Sequence, residues 1–373
     1  MPAVGASARL LTVDAVGGVW RYGIELARGL AATGVATVIA VLGPDLTATQ
    51  RAEARAIGRL VETGLELDWT ASDETALRRS AEALASLAAE ADVSLAHLHA
   101  PAFAAFGKWP VPVVSVAHSC VGTWWRAVRG GTPPEELRWR AAATGRGLAC
   151  SDAAIAPTRA FAELLRAEYG AVRVTVVRNG TCPPRPAPDA PRQPAVLTVG
   201  RLWDEAKNVA ALDRVAGRIG APILAAGSLK GPNGAAASLH RVRHLGTLDA
   251  ATLRRLYATI AIYASPARYE PFGLGVLEAA QSGMALVLSD IPTFRELWDG
   301  AALFVPPDDE DALAHAIANL LDAPGSRGQL GALAREKARR YSAGAMVRGT
   351  LEVHAAAEVH AALRAQVSAT AVL

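Results

Sequence analysis

Cysteine is scarce in this chain, and the three present, Cys120, Cys150 and Cys182, are odd in number and lack CxxC spacing. Neither a disulfide framework nor a zinc knuckle is then expected, and a reducing cytosol is the simplest setting. Long apolar runs are missing too. No stretch approaches the roughly 18 residues of a membrane span, and the first residues lack the charged-then-apolar order of a secretion signal. No sign of charge dominates: 38 Lys plus Arg against 35 Asp plus Glu give +3, too near balance to argue for nucleic acid. What remains is a globular composition, 51% hydrophobic and 20% charged, in 373 residues, enough for two domains with a core each.

Strand and helix signals alternate. Arg9 to Val13 reads as a strand, Asp14 to Gly18 as a glycine turn, and Val19 to Leu30 as a helix. Thr37–Leu42, Leu95–Leu98 and Val111–Ala117 read as further strands, and Asp73–Ala91 as a helix. These continuous apolar strands predict a parallel sheet covered on both faces. The pattern breaks from His118 to Arg140 and resumes to Val177. Six prolines between Asn179 and Pro194 mark a linker. The α/β rhythm then restarts at Val196, and three helices follow Asp309, the last predicted to cross back and brace the first domain. The expected domains are 1–182 and 195–342, joined by a linker at 183–194, with the final helix at about 343–373 packing on the first.

The stretch from Ser265 to Glu278 concentrates the chemistry. An apolar strand, Ile260 to Ala264, runs into a Pro-punctuated loop that exposes Glu270, and a helix opening near Gly273 carries Glu278. Bare amides at Phe272, Gly273 and Leu274 and the positive helix end favour an anion, while carboxylates on either side accept hydrogen bonds from hydroxyls. A ligand bearing both phosphates and hydroxyls fits, such as a nucleotide sugar. Arg201 and Lys207 share one loop after the first strand of the second domain, at the carboxyl edge where open sheets bind ligands. A forked guanidinium and a point-charge ammonium there would neutralise a departing phosphate; two ordinary solvated cations are the plain alternative.

With Gly200-Arg201-Leu202 leading to Lys207-Asn208, Glu270-Pro-Phe-Gly leading to Glu278, and Gly17-Gly18 near the start, nearly the whole chain resembles the family 4 retaining glycosyltransferases. The resemblance implies an α/β chain of GT-B architecture: two doubly wound Rossmann-like domains facing a central cleft, with a C-terminal helix crossing back to the first. It implies a hexosyltransferase that takes a sugar from a nucleoside diphosphate sugar without metal or other cofactor. By that resemblance Arg201 and Lys207 meet the diphosphate, Glu270 with the amides at Phe272 to Leu274 meets the sugar hydroxyls, and Glu278 holds the ribose. Backbone groups near Gly246 to Leu248 meet the base, and His118 at the end of its strand contacts the donor sugar. Gly17 and Gly18 let the backbone approach the diphosphate or sugar. Retention is implied to follow front-face substitution, in which the leaving phosphate oxygen takes the acceptor's proton and no protein base is obligatory.

The acceptor stays open: a carbohydrate, a lipid-linked sugar or a small molecule. Trp124, Trp125 and Arg126 could stack on sugar rings, sit at an anionic membrane surface, or form an ordinary packed loop. The chain is expected in the cytoplasm, with contact at the inner face of the membrane left open. Other features are weaker. His97 and His99 have a metal-like spacing without a third ligand nearby, and Asp309-Glu310-Asp311 has DxD spacing but opens a helix, where capping explains it. Rival functions are an epimerase or phosphorylase on the same scaffold, the latter disfavoured by few lysines, and a catalytically silent nucleotide-sugar-binding module.

Overall fold

The computed structural model describes residues 8–183 and 192–370. The described chain forms two units, one of the residues up to Gly180 together with those from Ala343 onward, the other of Thr181–Ser342.

The first unit is built on seven parallel strands: β1 (Arg9–Asp14), β2 (Thr37–Leu42), β3 (Arg59–Glu62), β4 (Leu95–Leu98), β5 (Val113–Val116), β6 (Ala153–Ala156) and β7 (Val174–Val176). Their spatial order is β3-β2-β1-β4-β5-β6-β7. Leu11 of β1 therefore faces Ile39 of β2 on one side and His97 of β4 on the other. The direction of winding reverses between β1 and β4, which places a ligand-binding switch point at their carboxyl ends. Helices α1 (Gly18–Ala32), α2 (Ala48–Arg55), α3 (Glu74–Glu90), α4 (Val121–Val128), α5 (Glu135–Cys150) and α6 (Arg159–Tyr169) connect the strands. The irregular segment expected after His118 is thus two helices, with Ala143 of α5 packed into the core beside Phe103 and Leu84.

The second unit repeats the plan with β8 (Gln193–Val199), β9 (Ile223–Ala226), β10 (Arg243–His244), β11 (Ile260–Ser265), β12 (Ala285–Ser289) and β13 (Leu303–Val305). All pair in parallel in the order β10-β9-β8-β11-β12-β13, so the reversal lies between β8 and β11. Alternation carries β8 and β12 into both faces: Leu197, Leu286 and Leu288 pack with Phe272, Phe294 and Trp298, while Val196, Ala285 and Val287 pack with Leu212 and Ile317. The covering helices are α7 (Val209–Val215), α8 (Ala250–Thr259), α9 (Leu274–Gln281), α10 (Pro292–Trp298), α11 (Glu310–Asp322) and α12 (Pro324–Ala338). Most of the expected linker, 184–191, lies outside the described residues. Its last two residues belong to β8, and the guanidinium of Arg192 donates to the carbonyls of Tyr257 and Ile260, tying the start of that strand to its neighbour.

The last helix, α13 (Ala343–Thr370), belongs to the first unit, as its position without a strand to cover suggested. Val353 and Ala357 join Val114, Val116 and Ile155 in one cluster under the sheet. Its fit against α1 is close: a Cβ added at Gly29 would lie 2.2 Å from Cγ2 of Val347.

Candidate functional site

In the second unit, the loops after β8 and β11 meet at the switch point. Asp204 organises the first of them. Its carboxylate accepts from the Ala206 amide and from the Arg201 guanidinium, both at 3.0 Å, and so turns the chain while holding the cation. Asn208 then takes a left-handed conformation, φ 51°, and its side-chain amide donates to the carbonyls of Pro266 and Pro307. Asparagine tolerates this backbone region better than most residues, and here it clamps one loop onto the other. A backbone bond from Arg268 to the Ala206 carbonyl, 2.8 Å, reinforces the clamp.

The clamp delivers Lys207 to Glu270. Their ammonium and carboxylate pair at 2.5 Å, with side chains 20% and 17% exposed. Burial, then Glu270, then Glu278 push the Tyr263 phenol upward. Gly273 opens α9 at φ 87°, and its neighbour Gly275 has no room for a side chain, since a Cβ would lie 2.6 Å from the Tyr263 hydroxyl. Phe272 is buried against Tyr341, whereas Leu274 at the start of the helix and Glu278 one turn further in are half-buried. The amides of Phe272, Gly273 and Leu274 thus stand at a helix entrance, where N–H groups lack intrahelical acceptors. Lys207 and Glu270 are brought together, with Arg201 in the loop that carries Lys207 and Glu278 on the helix that follows Glu270. Gly246, at φ 72°, accepts from the Gly227 amide at 2.8 Å and leads to half-buried Leu248. The segment before it is fixed by Asp213, which accepts from the amides of His240, Arg241 and Val242.

In the first unit, Gly17 caps α1 at φ 73°, and Gly17 and Gly18 are exposed. The turn is held by Asp14, which accepts from the Val16 amide at 2.7 Å and the Trp69 indole at 3.1 Å. His118 lies past β5, half-buried, with its ring edge-on to Tyr22 of α1. Burial lowers its imidazole to about 3, so the ring is neutral at ordinary pH. Trp124 and Trp125 lie on α4, half-buried, ring centroids 6.1 Å apart. Arg126 is exposed and pairs with Glu168 at 2.8 Å.

Asp309 caps α11 by accepting from the Ala312 amide, the capping role expected for it. Sequence reasoning missed Asp204, Asn208 and Tyr263. The signal available for Asp204 was its position three residues after Arg201; Tyr263 reads only as a strand residue, and Asn208 as the start of a helix.

A family model described as Glycosyltransferase Family 4 matches residues 16–183, and one described as Glycosyl transferases group 1 matches residues 193–323. The phosphatidyl-myo-inositol mannosyltransferase of Mycolicibacterium smegmatis is 37% identical over 103 residues, 27% of this chain and 27% of that protein. Across the first curated relatives, the matched segments span 20–27% of the relatives' own length. Among solved structures, sucrose-phosphate synthase of Thermosynechococcus elongatus superposes with a TM-score of 0.77 at 21% identity, over 93% of this chain and 98% of that one. Anabaena HepE, in complex with UDP and glucose, gives 0.70 at 15% identity, over 94% of this chain and 99% of that one.

Proposed function

The chain belongs to glycosyltransferase family 4 and has the GT-B fold, and from that premise we propose that it is a retaining, metal-independent transferase using a nucleoside diphosphate sugar. The observation that carries the proposal is the Lys207–Glu270 pair, with Arg201 in the loop that carries Lys207 and the entrance of α9, which bears Glu278, following Glu270. Cations, helix amides and carboxylates in one place suit a ligand with both phosphates and hydroxyls. The complex of HepE with UDP and glucose is consistent with such a donor.

In this mechanism Arg201 and Lys207 take up charge as the bond from the anomeric carbon to the diphosphate breaks. Glu270 and the amides at Phe272, Gly273 and Leu274 orient the sugar, Glu278 holds the ribose, and backbone near Gly246 and Leu248 meets the base. The new bond from acceptor oxygen to anomeric carbon forms on the face the diphosphate leaves, and the acceptor's proton passes to the leaving phosphate oxygen. The pair Asp309 and Asp311 is committed to opening a helix, which supports metal independence. His118, Gly17 and Gly18 of the first unit are proposed donor contacts. Trp124, Trp125 and Arg126 are assigned to a carbohydrate, lipid-linked or small-molecule acceptor, and cysteines that are thiols rather than disulfides support a cytoplasmic setting.

Transfer or hydrolysis of a labelled nucleotide sugar tests the proposal. Lys207→Ala and Glu270→Ala should fold and lose turnover; unchanged turnover in both would sink it. Activity should survive excess chelator, and a loss restored by manganese would count against metal independence.

A further inference from the structure

Behind His118 the first unit holds a run of buried rings that the proposed chemistry does not use. His97 lies in β4, His99 just past its end, Tyr22 in α1 and His354 in α13. The His118 ring meets Tyr22 at 4.5 Å and His99 at 5.2 Å, both nearly edge-on. His99 meets His97 at 5.1 Å with the planes at 90°. His97 Nδ1 in turn shares a 2.9 Å hydrogen bond with His354 Nε2. His97, His99 and His354 are all buried, yet Nε2 of His97, Nδ1 of His354 and both nitrogens of His99 have no hydrogen-bond partner among the described residues.

Orphaned polar atoms of this kind cost stability, and apolar side chains of similar volume would fill the space without that cost. The rings do not converge on an ion either: among the described residues, no group of three or more His, Cys, Asp or Glu is arranged to hold a metal. What the rings share is a path. It begins at the only one of the four histidines assigned to the donor and ends on α13, where Thr350, near the Tyr22 hydroxyl, sits one turn before His354 on the same helix face.

We infer that Tyr22, His99, His97 and His354 are positioning residues, a column of edge-packed rings that holds the His118 imidazole in one orientation and ties that orientation to α13. Edge-to-face contacts have a preferred plane, so two of them at right angles to the His118 ring restrict its rotation. The hydrogen bond at the far end fixes His97, and with it the stack. The inference rests on the reading of His118 as a donor-sugar contact.

A double-mutant cycle with His118→Ala and His354→Leu, scored by sugar transfer, tests it. His354→Leu should lower kcat about tenfold and leave the donor KM nearly unchanged, the pattern of a misoriented group. In the His118→Ala background the same change should cost less than about twofold. His354→Gln, which keeps a polar atom near the Nε2 position, should recover most of the activity. If His354→Leu fails to fold, His97→Phe, which keeps a ring but loses the hydrogen bond, takes its place in the cycle. An equal fold-loss in both backgrounds, or no loss at all while His118→Ala is impaired, overturns the inference alone. Full turnover in His118→Ala overturns the donor-contact reading, and the inference with it.

Discussion

Lowering the pH from about 7 to about 5.5 should destabilise the first unit by about 4 kcal/mol, through the same buried rings. Burial first, and neighbouring imidazoles second, hold His97 and His99 well below their ordinary value. Burial, with Arg9 nearby, brings His354 to about 3. In the folded unit these rings stay neutral, whereas in the unfolded chain they titrate near about 6.5. The unfolded state therefore binds more protons below that value, so stability is complete above it and falls as pH drops through it. One unit below, each ring costs about 1.4 kcal/mol, and the three together about 4 kcal/mol. Half-buried His118 and Asp68 are left out because solvent screens them; burial and then Asp14 raise the Asp68 carboxyl to about 7, so it acts in the opposite sense to His118 in this window. The three buried rings leave the loss near 4 kcal/mol, roughly 8–16 °C in Tm for a unit of this size. Scanning calorimetry at the two pH values, with His354→Leu run alongside, measures it. Equal transition temperatures at both, or a pH shift that His354→Leu leaves whole, would refute the reasoning.

The Lys207–Glu270 pair should behave as a coupled unit. Each alanine variant is expected to cost about 2 kcal/mol, less than a fully buried pair, and the double variant about 1–2 kcal/mol less than the sum; additive losses in denaturant titrations would contradict the pairing. Gly147→Ala should destabilise the first unit by about 3 kcal/mol, seen as a lower urea midpoint, because a Cβ there would lie 1.8 Å from the Pro101 carbonyl oxygen and α5 would have to shift. A midpoint equal to wild type would show that the α5 packing is looser than described.

The central strands were legible because buried parallel strands are continuous apolar runs, and the glycine turns because they follow such runs directly. Edge elements were not: β3, Arg59–Glu62, is half-exposed and mixes charge with apolar residues, so neither period stands out. The helices α4 and α5 were hidden by a cluster of Trp and Arg that reads as an insertion. The ring column was half visible, as His97 and His99, but His354 is 257 residues away, and no local pattern announces a pair that distant. The motif residues of the second unit were found individually, whereas their pairings, and Asp204 as the partner of Arg201, were not.

Those partners alter how the site must work. Arg201 is held by Asp204 and Lys207 by Glu270, so the two cations that the proposed function offers to a diphosphate are each matched by an acid. Their summed charge is near zero, which keeps the ligand-free corner stable without large repulsion or desolvation, since paired charges are the tolerated kind at half-buried positions. Under that proposal, a phosphate that takes Lys207 from Glu270 leaves a carboxylate that needs new donors. Sugar hydroxyls are donors of the required kind. Donor binding in this corner would therefore exchange one ion pair for two sets of contacts, phosphate to Lys207 and hydroxyl to Glu270. A free nucleoside diphosphate would satisfy only the first, so the pair itself favours the intact donor over the product.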